Sequence, residues 1–186
     1  LAIAIPTFLG VTGSANDRAA QSNLTNGLTE VKALYQNSQS YNTTALPSAT
    51  LTSSAPEFSW QQSAACAANA GGNCMSEYPV DISGPDDGNG VILAAFSKNQ
   101  ATCWYVVDLE AAPTSTSFGA DASPGTVQFT GGTGAGLQEE NGVAASQAGV
   151  YYAKSPGNQA SCNATTPTTF GSAWNWGTSY SNAPVN

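Results

Sequence analysis

The chain has 186 residues, 41% of them hydrophobic and only 9% charged, where a typical domain carries about a quarter charged residues; it supports one cored domain and excludes wholesale disorder. Twelve acids against four bases leave a net charge of −8, which opposes binding to nucleic-acid phosphate or to anionic lipid. Histidine is absent, which removes Ser-His-Asp and Cys-His catalysis, the usual neutral-pH general base and His-based zinc sites, so neither an enzyme nor a cofactor is expected.

Leu1-Ala-Ile-Ala-Ile-Pro-Thr-Phe-Leu-Gly10 is apolar except for Thr7. It is much shorter than the ~20 residues of a membrane span. It has no basic flank, so it does not read as an intact signal peptide. The bland reading is the first turns of a core helix, and Pro6 with two glycines nearby argues against it. From Ser14 the pattern turns helical. Ala20, Leu24, Leu28, Val31 and Tyr35 recur at spacings of four, four, three and four, an amphipathic stripe that predicts a helix over 15–36. It should stop between Gln36 and Ser40. Gly10, Gly13 and Gly27 each weaken it by about 1 kcal/mol relative to Ala.

Three segments carry a resemblance: Ala-Ile-Pro-Thr-Phe-Leu-Gly (4–10), Asn-Asp-Arg-Ala-Ala-Gln-Ser-Asn-Leu (16–24) and Tyr35-Gln-Asn-Ser-Gln-Ser-Tyr41. In order and spacing they resemble the first helix of bacterial type IV pilins, with the flavour of the Gram-positive branch. Ala95-Phe96-Ser97-Lys98 and Thr102-Cys103-Trp104-Tyr105 resemble the central hairpin of those proteins more loosely. The resemblance implies a pilin fold: a long N-terminal helix over 1–40 that forms the filament core, and a globular head over 41–186. In that family a longer apolar segment, with a peptidase cleavage site and a glutamate near the mature N-terminus, precedes this point. If Pro6 corresponds to the family's helix-kinking proline, that segment belongs upstream, and any membrane contact would run through it.

After the helix, residues 42–56 are rich in Thr, Ser and Ala, with Pro47 and Pro56 as breakers, and predict a loop. Residues 57–61 alternate as a strand, and 78–82 predict an edge strand because Pro79 cannot donate to a ladder. Val91–Ser97 and Thr102–Asp108 are the strongest strands, joined by a hairpin turn at 98–101. Residues 125–130 and 149–153 are further strand candidates. The tail from Ser155 is rich in Pro, Thr and Asn. One helix and four or five antiparallel strands, with disulfide-bonded loops, give an α+β fold with the helix on one sheet face.

The cysteines are Cys66, Cys74, Cys103 and Cys162, with no Cys-x-x-Cys pair. Their even number in a Ser/Thr-rich acidic chain favours two disulfides formed outside the cytoplasm, and three connectivities are open. The preferred one joins Cys66 to Cys74 across a local loop and Cys103 to Cys162, tying sheet to tail. In the chain-entropy model these contribute about 2.5 and 4 kcal/mol.

The segment 84–90 offers Asp86, Asp87 and Asn89 as oxygen ligands for calcium. It lacks the spaced series of an EF-hand, and Asp-Gly and Asn-Gly are ordinary turn chemistry, so a turn is the expectation and no metal is assigned. Gly131–Gly136 has no following Lys-Ser/Thr and is not a phosphate loop. The close carboxylate pairs, Glu139/Glu140 and Asp108/Glu110, read as solvated charge. Trp174 and Trp176 share a face in an extended segment, where core packing outweighs a sugar-stacking surface. Asn23, Asn42 and Asn163 each start an N-glycosylation acceptor triplet, although chance matches are expected in this composition. O-linked sugars on 42–54 or 165–169 are as plausible.

The resulting expectation is the structural subunit (major pilin) of an extracellular pilus, a homopolymer built by its assembly machinery for adhesion to surfaces or glycans or for motility. Assembly would run through Leu1, Ile3, Ile5, Pro6, Phe8, Leu9, Leu24 and Leu28. The alternatives are a type II secretion pseudopilin, which calcium in the 84–90 loop would favour, and an extracellular carbohydrate-binding module using Trp174 and Trp176.

Overall fold

A computed structural model describes residues 4–42, 46–82, 87–98, 100–112, 127–128, 136–139, 148–168 and 173–186. The first element, α1, runs from Ala4 to Ser38, 35 residues, or about 52 Å at 1.5 Å per residue. Pro6 sits in the first described turn. The helix ends where Gln39 turns to a φ of 54° and returns its N–H to the Tyr35 carbonyl at 2.7 Å. That is a left-handed cap built without glycine.

A second helix, α2 (Ser48–Ser54), lies inside the segment expected to be a loop. Pro47 supplies a preset φ at its N-cap, and Leu51, fully buried, fixes it to the core. Its other residues are Ser, Ala and Thr, which give no apolar period to read.

The main sheet has the order β1 (Ser59–Gln62), β2 (Cys74–Asp81), β3 (Gly90–Ser97), β4 (Thr102–Leu109) and β7 (Gly149–Pro156). β2–β3–β4–β7 is antiparallel throughout, with full eight-residue registers for β3–β4 and β4–β7. β1 runs parallel to β2, and so does β5 (Val127–Gln128). A separate parallel pair joins β6 (Gly136–Glu139) to β8 (Ala173–Trp176). The expected edge strand at 78–82 is therefore the end of a longer interior strand. Proline is tolerated because β1 pairs with 74–77 and β5 with 80–81, leaving Pro79 in the gap between them.

Both faces of the sheet are covered, which explains the unbroken apolar runs of β3 and β4. On one face Met75, Val91, Leu93, Ala95, Trp104 and Val106 meet the buried stripe of α1, with Leu46, Leu51 and Trp60 alongside. On the other, Tyr78, Ile92, Tyr105 and Val107 meet Cys162, Ala164 and Trp176 from the tail. The tail also closes the outer edge of β7. Tyr152 and Gly177 exchange both backbone hydrogen bonds at 2.8 Å, and Lys154 bonds to Pro184 and Asn186. An open edge invites pairing with other chains. The described fold is thus α+β, a long N-terminal helix on a mostly antiparallel sheet.

Candidate functional site

The region of interest is α1 and the way the head grips it. Ala20, Leu24, Leu28, Val31 and Tyr35 are all buried, each of the larger aliphatic ones worth about 2 kcal/mol of burial. Gly27 lets the helix approach β2, since a Cβ there would lie 2.5 Å from Met75 Sδ. Asp17 accepts the indole N–H of Trp104 at 3.0 Å, and the Lys154 ammonium stands 5.1 Å from the Trp104 ring centroid. Asn23 donates to the Gly72 carbonyl at 2.9 Å, tying the helix to the cysteine loop. Near its N-terminal end α1 passes the β3–β4 turn, where a side chain at Gly13 would collide with Gln100. Beyond Gly13 the helix continues to Ala4 for nine more residues, about 13 Å of axial length.

At the other end of α1 a charged cluster locks helix to sheet. Lys32 Nζ lies 2.8 Å from Asp108 Oδ1 and 3.5 Å from Glu110 Oε1. The Tyr41 hydroxyl donates to Asp108 Oδ2 at 2.6 Å. Asp108 is only 1% exposed, so it is not the solvated charge expected of it; a carboxylate at that depth needs a cation and a hydroxyl. Burial works against the Lys32 charge, but hydrogen bonding and attraction from Asp108 and Glu110 win and raise its pKa. Burial raises Glu110, reinforced by Asp108 and only partly offset by Lys32. Burial and the bond to Asp108 push the Tyr41 phenol far up. These acids are spent on anchorage, and among the described residues no cluster of three or more His, Cys, Asp or Glu could hold a metal ion.

Cys66 and Cys74 form a disulfide. Cys103 and Cys162 are free and buried, so the second bridge preferred from sequence is not closed. Their thiols are hydrogen-bonded side by side, which lowers the Cys103 pKa, while burial raises that of Cys162. In the 84–90 segment, Asp86 lies outside the described residues. Asp87 accepts the backbone N–H groups of Ile82 and Asn89, the geometry of a turn. Asn163 accepts from Ser76 and from the Thr165 N–H, and Asn23 lies mid-helix, so both acceptor amides are engaged by protein. Asn42 is half-buried, and Thr43 and Thr44 lie outside the described residues. Trp176 is fully buried and offers no sugar platform. The side chains of Trp174, Glu139 and Glu140 lie outside the described set.

No protein-family model, curated protein or solved structure matches the chain.

Of the residues assigned to assembly, Leu1 and Ile3 lie outside the described residues, and for Ile5, Pro6, Phe8 and Leu9 only the helical backbone is described. Leu24 and Leu28 need correction. They are 0% and 8% exposed against the chain's own sheet, because the stripe that marks the helix also seats it, leaving little surface for a neighbour. The outward ridge of α1 is a feature that the sequence reading missed. Ala15, Ala19, Ser22, Asn26, Thr29 and Ala33 recur at spacings of four and three and are all exposed. They are small and uncharged, which permits close helix–helix approach. Among the described residues Val185 is the exposed large hydrophobic side chain, and no helix is long and apolar enough to cross a membrane.

Proposed function

We propose that this chain is a pilin, the structural subunit of an extracellular type IV-like pilus that polymerises with copies of itself through α1. One observation carries this reading: a 35-residue helix runs nine residues past the point where it meets the β3–β4 turn. The sequence of that extension is apolar apart from Thr7 and Thr12, with Ile5, Phe8 and Leu9 its largest side chains. Buried among the helices of neighbouring subunits, each such side chain contributes about 2 kcal/mol. The outward ridge from Ala15 to Ala33 supplies the low-relief face along which such helices pack. The head then forms the outer wall, and its low charge limits repulsion between stacked copies. Adhesion or motility is the role such a fibre would serve at the cell surface, after delivery by an assembly machinery.

The alternatives gain nothing comparable. The Asp87 carboxylate is directed at backbone amides, which gives a calcium-dependent pseudopilin no observation in its favour. A sugar-binding module would need the buried Trp176 on the surface. The test is Phe8→Asp in the producing cells, with filaments sheared and counted. The proposal predicts loss of filaments while the head still folds and closes Cys66–Cys74; undiminished filaments of the variant chain would contradict it.

A further inference from the structure

Two carboxylates lie deep in the core, and only one is answered. Asp108 holds Lys32 and Tyr41. Glu77, at 0% exposure, has no hydrogen-bond partner on either carboxyl oxygen among the described residues. The register sets Glu77 opposite Leu93 of β3 and beside Gln62 of β1. Strand alternation puts it on the same face as Met75, the face covered by α1 and by Leu46, Leu51 and Ala55. The hydrophobic cluster on that face includes Trp60 of β1, Val91, Leu93 and Ala95 of β3, and Leu24, Leu28 and Val31 of α1.

The titratable groups on that face are Tyr35 and Tyr41, whose hydroxyls go to Asn89 and Asp108, Asp108 itself, and farther across the sheet Tyr152, Tyr180 and Lys154. The Lys32–Asp108–Glu110 cluster joins α1 to β4, and β4 is separated from β2 by β3. Glu30 on α1 is half-buried, and Glu57, before β1, is exposed. No charged neighbour moves Glu77: burial alone raises its pKa from 4.5 to about 8. The adjacent polar group, the Gln62 amide, donates instead to the Leu46 carbonyl at 2.9 Å, fastening the start of the segment that carries α2 to β1.

We propose that Glu77 and Gln62 form a proton-operated latch: protonated Glu77 leaves Gln62 holding Leu46, and loss of the proton to solvent draws the Gln62 amide onto the carboxylate and frees segment 46–55, which carries α2, from β1. A hydrogen bond to an ionised acceptor is stronger than one to a neutral carbonyl, and a bare carboxylate in this apolar setting draws in water or a donor. The latch is a property of the head and does not depend on the filament reading.

The sign follows from proton counting. Between pH 4.5 and about 8 the native chain keeps a proton on Glu77 that the unfolded chain has lost. Stability therefore falls as pH rises through that window, by up to tenfold in the unfolding equilibrium per pH unit, and levels off above it. The experiment is hydrogen–deuterium exchange of the full chain from pH 6 to 9, corrected for intrinsic rates, on wild type and Glu77→Gln, with carboxyl NMR titration of the wild type. The expected result is that protection of 46–55 falls several-fold between pH 6 and pH 8 and levels off above it, while 91–109 keeps the higher protection throughout, and that this fall is absent in Glu77→Gln. Constant protection of 46–55 in wild type, an equal fall in the variant, or a Glu77 carboxyl titrating below pH 5 overturns the proposal. The NMR arm decides alone should the variant fail to fold.

Discussion

Gly27 of α1 and Met75 of β2 meet so closely that the glycine is a condition of the contact. A Cβ at residue 27 would lie 2.5 Å from Met75 Sδ, 2.7 Å from its Cε and 3.2 Å from Trp60 Cη2. Ala is the better helix former by about 1 kcal/mol, yet Met75 is fully buried and cannot swing clear. Gly27→Ala should therefore destabilise by about 1–2 kcal/mol, the lower part of the range for an overfilled core. Urea unfolding of Gly27→Ala, Met75→Ala and the double variant checks this: the double should cost less than the sum, because shortening Met75 removes the clash.

The Tyr41–Asp108 bond links the chain just after α1 to the C-terminal end of β4 at 2.6 Å. Tyr41→Phe removes one of two groups that compensate a buried carboxylate, and should cost about 2 kcal/mol. Calorimetry of this variant beside Ser53→Ala, an exposed position, checks it; equal melting temperatures for the two would mean that Lys32 alone suffices.

The helix and the two central strands are legible in the sequence because their patterns are physical consequences of burial. Leu24, Leu28 and Val31 share a 3.6-residue face, and Val91–Phe96 and Cys103–Val107 are apolar on both faces of a doubly covered sheet. Strand direction leaves no such trace, so the parallel entry of β1 beside β2 is not readable. Cys74, Ser76 and Pro79 hide the length of β2 for the same reason that Ser and Thr hide α2. Glu77 follows the small residues of the cysteine segment with no apolar period to mark it, and only its burial in the folded chain reveals it as a core acid. For the candidate site, the apolar start of α1 is plain in sequence. The division of that helix into a seated face and a free ridge is not, since it depends on which face the sheet takes.

Cys103 and Cys162 are placed to cross-link. The Cys103 thiolate attacks an added disulfide such as oxidised glutathione and releases one thiol; Cys162 then displaces the second, so two electrons pass to the reagent. Both thiols are buried, so reaction belongs to the refolding chain. Refolding with that reagent should remove both from alkylation after denaturation and raise stability by about 4 kcal/mol in the chain-entropy model. Peptide mass spectrometry reads the pairing, and persistence of both thiols beside an intact Cys66–Cys74 bridge would show that the packing holds them reduced.

Gly177 tests the closure of the sheet edge by the tail. It pairs with Tyr152 through both backbone bonds, and a Cβ there would overlap the Asn182 carbonyl. Backbone cannot yield as a side chain can, so Gly177→Ala should cost about 3 kcal/mol and expose the last ten residues to limited proteolysis. A cleavage pattern identical to wild type would contradict this account of the edge.

The central claim, that α1 is the core of a fibre, meets its most direct test in electron cryomicroscopy of filaments sheared from the producing cells, with peptide mass spectrometry on the same fraction. The account predicts uniform filaments made of this chain, with helical density for residues 4–38 at the centre and the sheet outside. Recovery of the chain only as a monomer, or a fibre whose central density is not this helix, would contradict it.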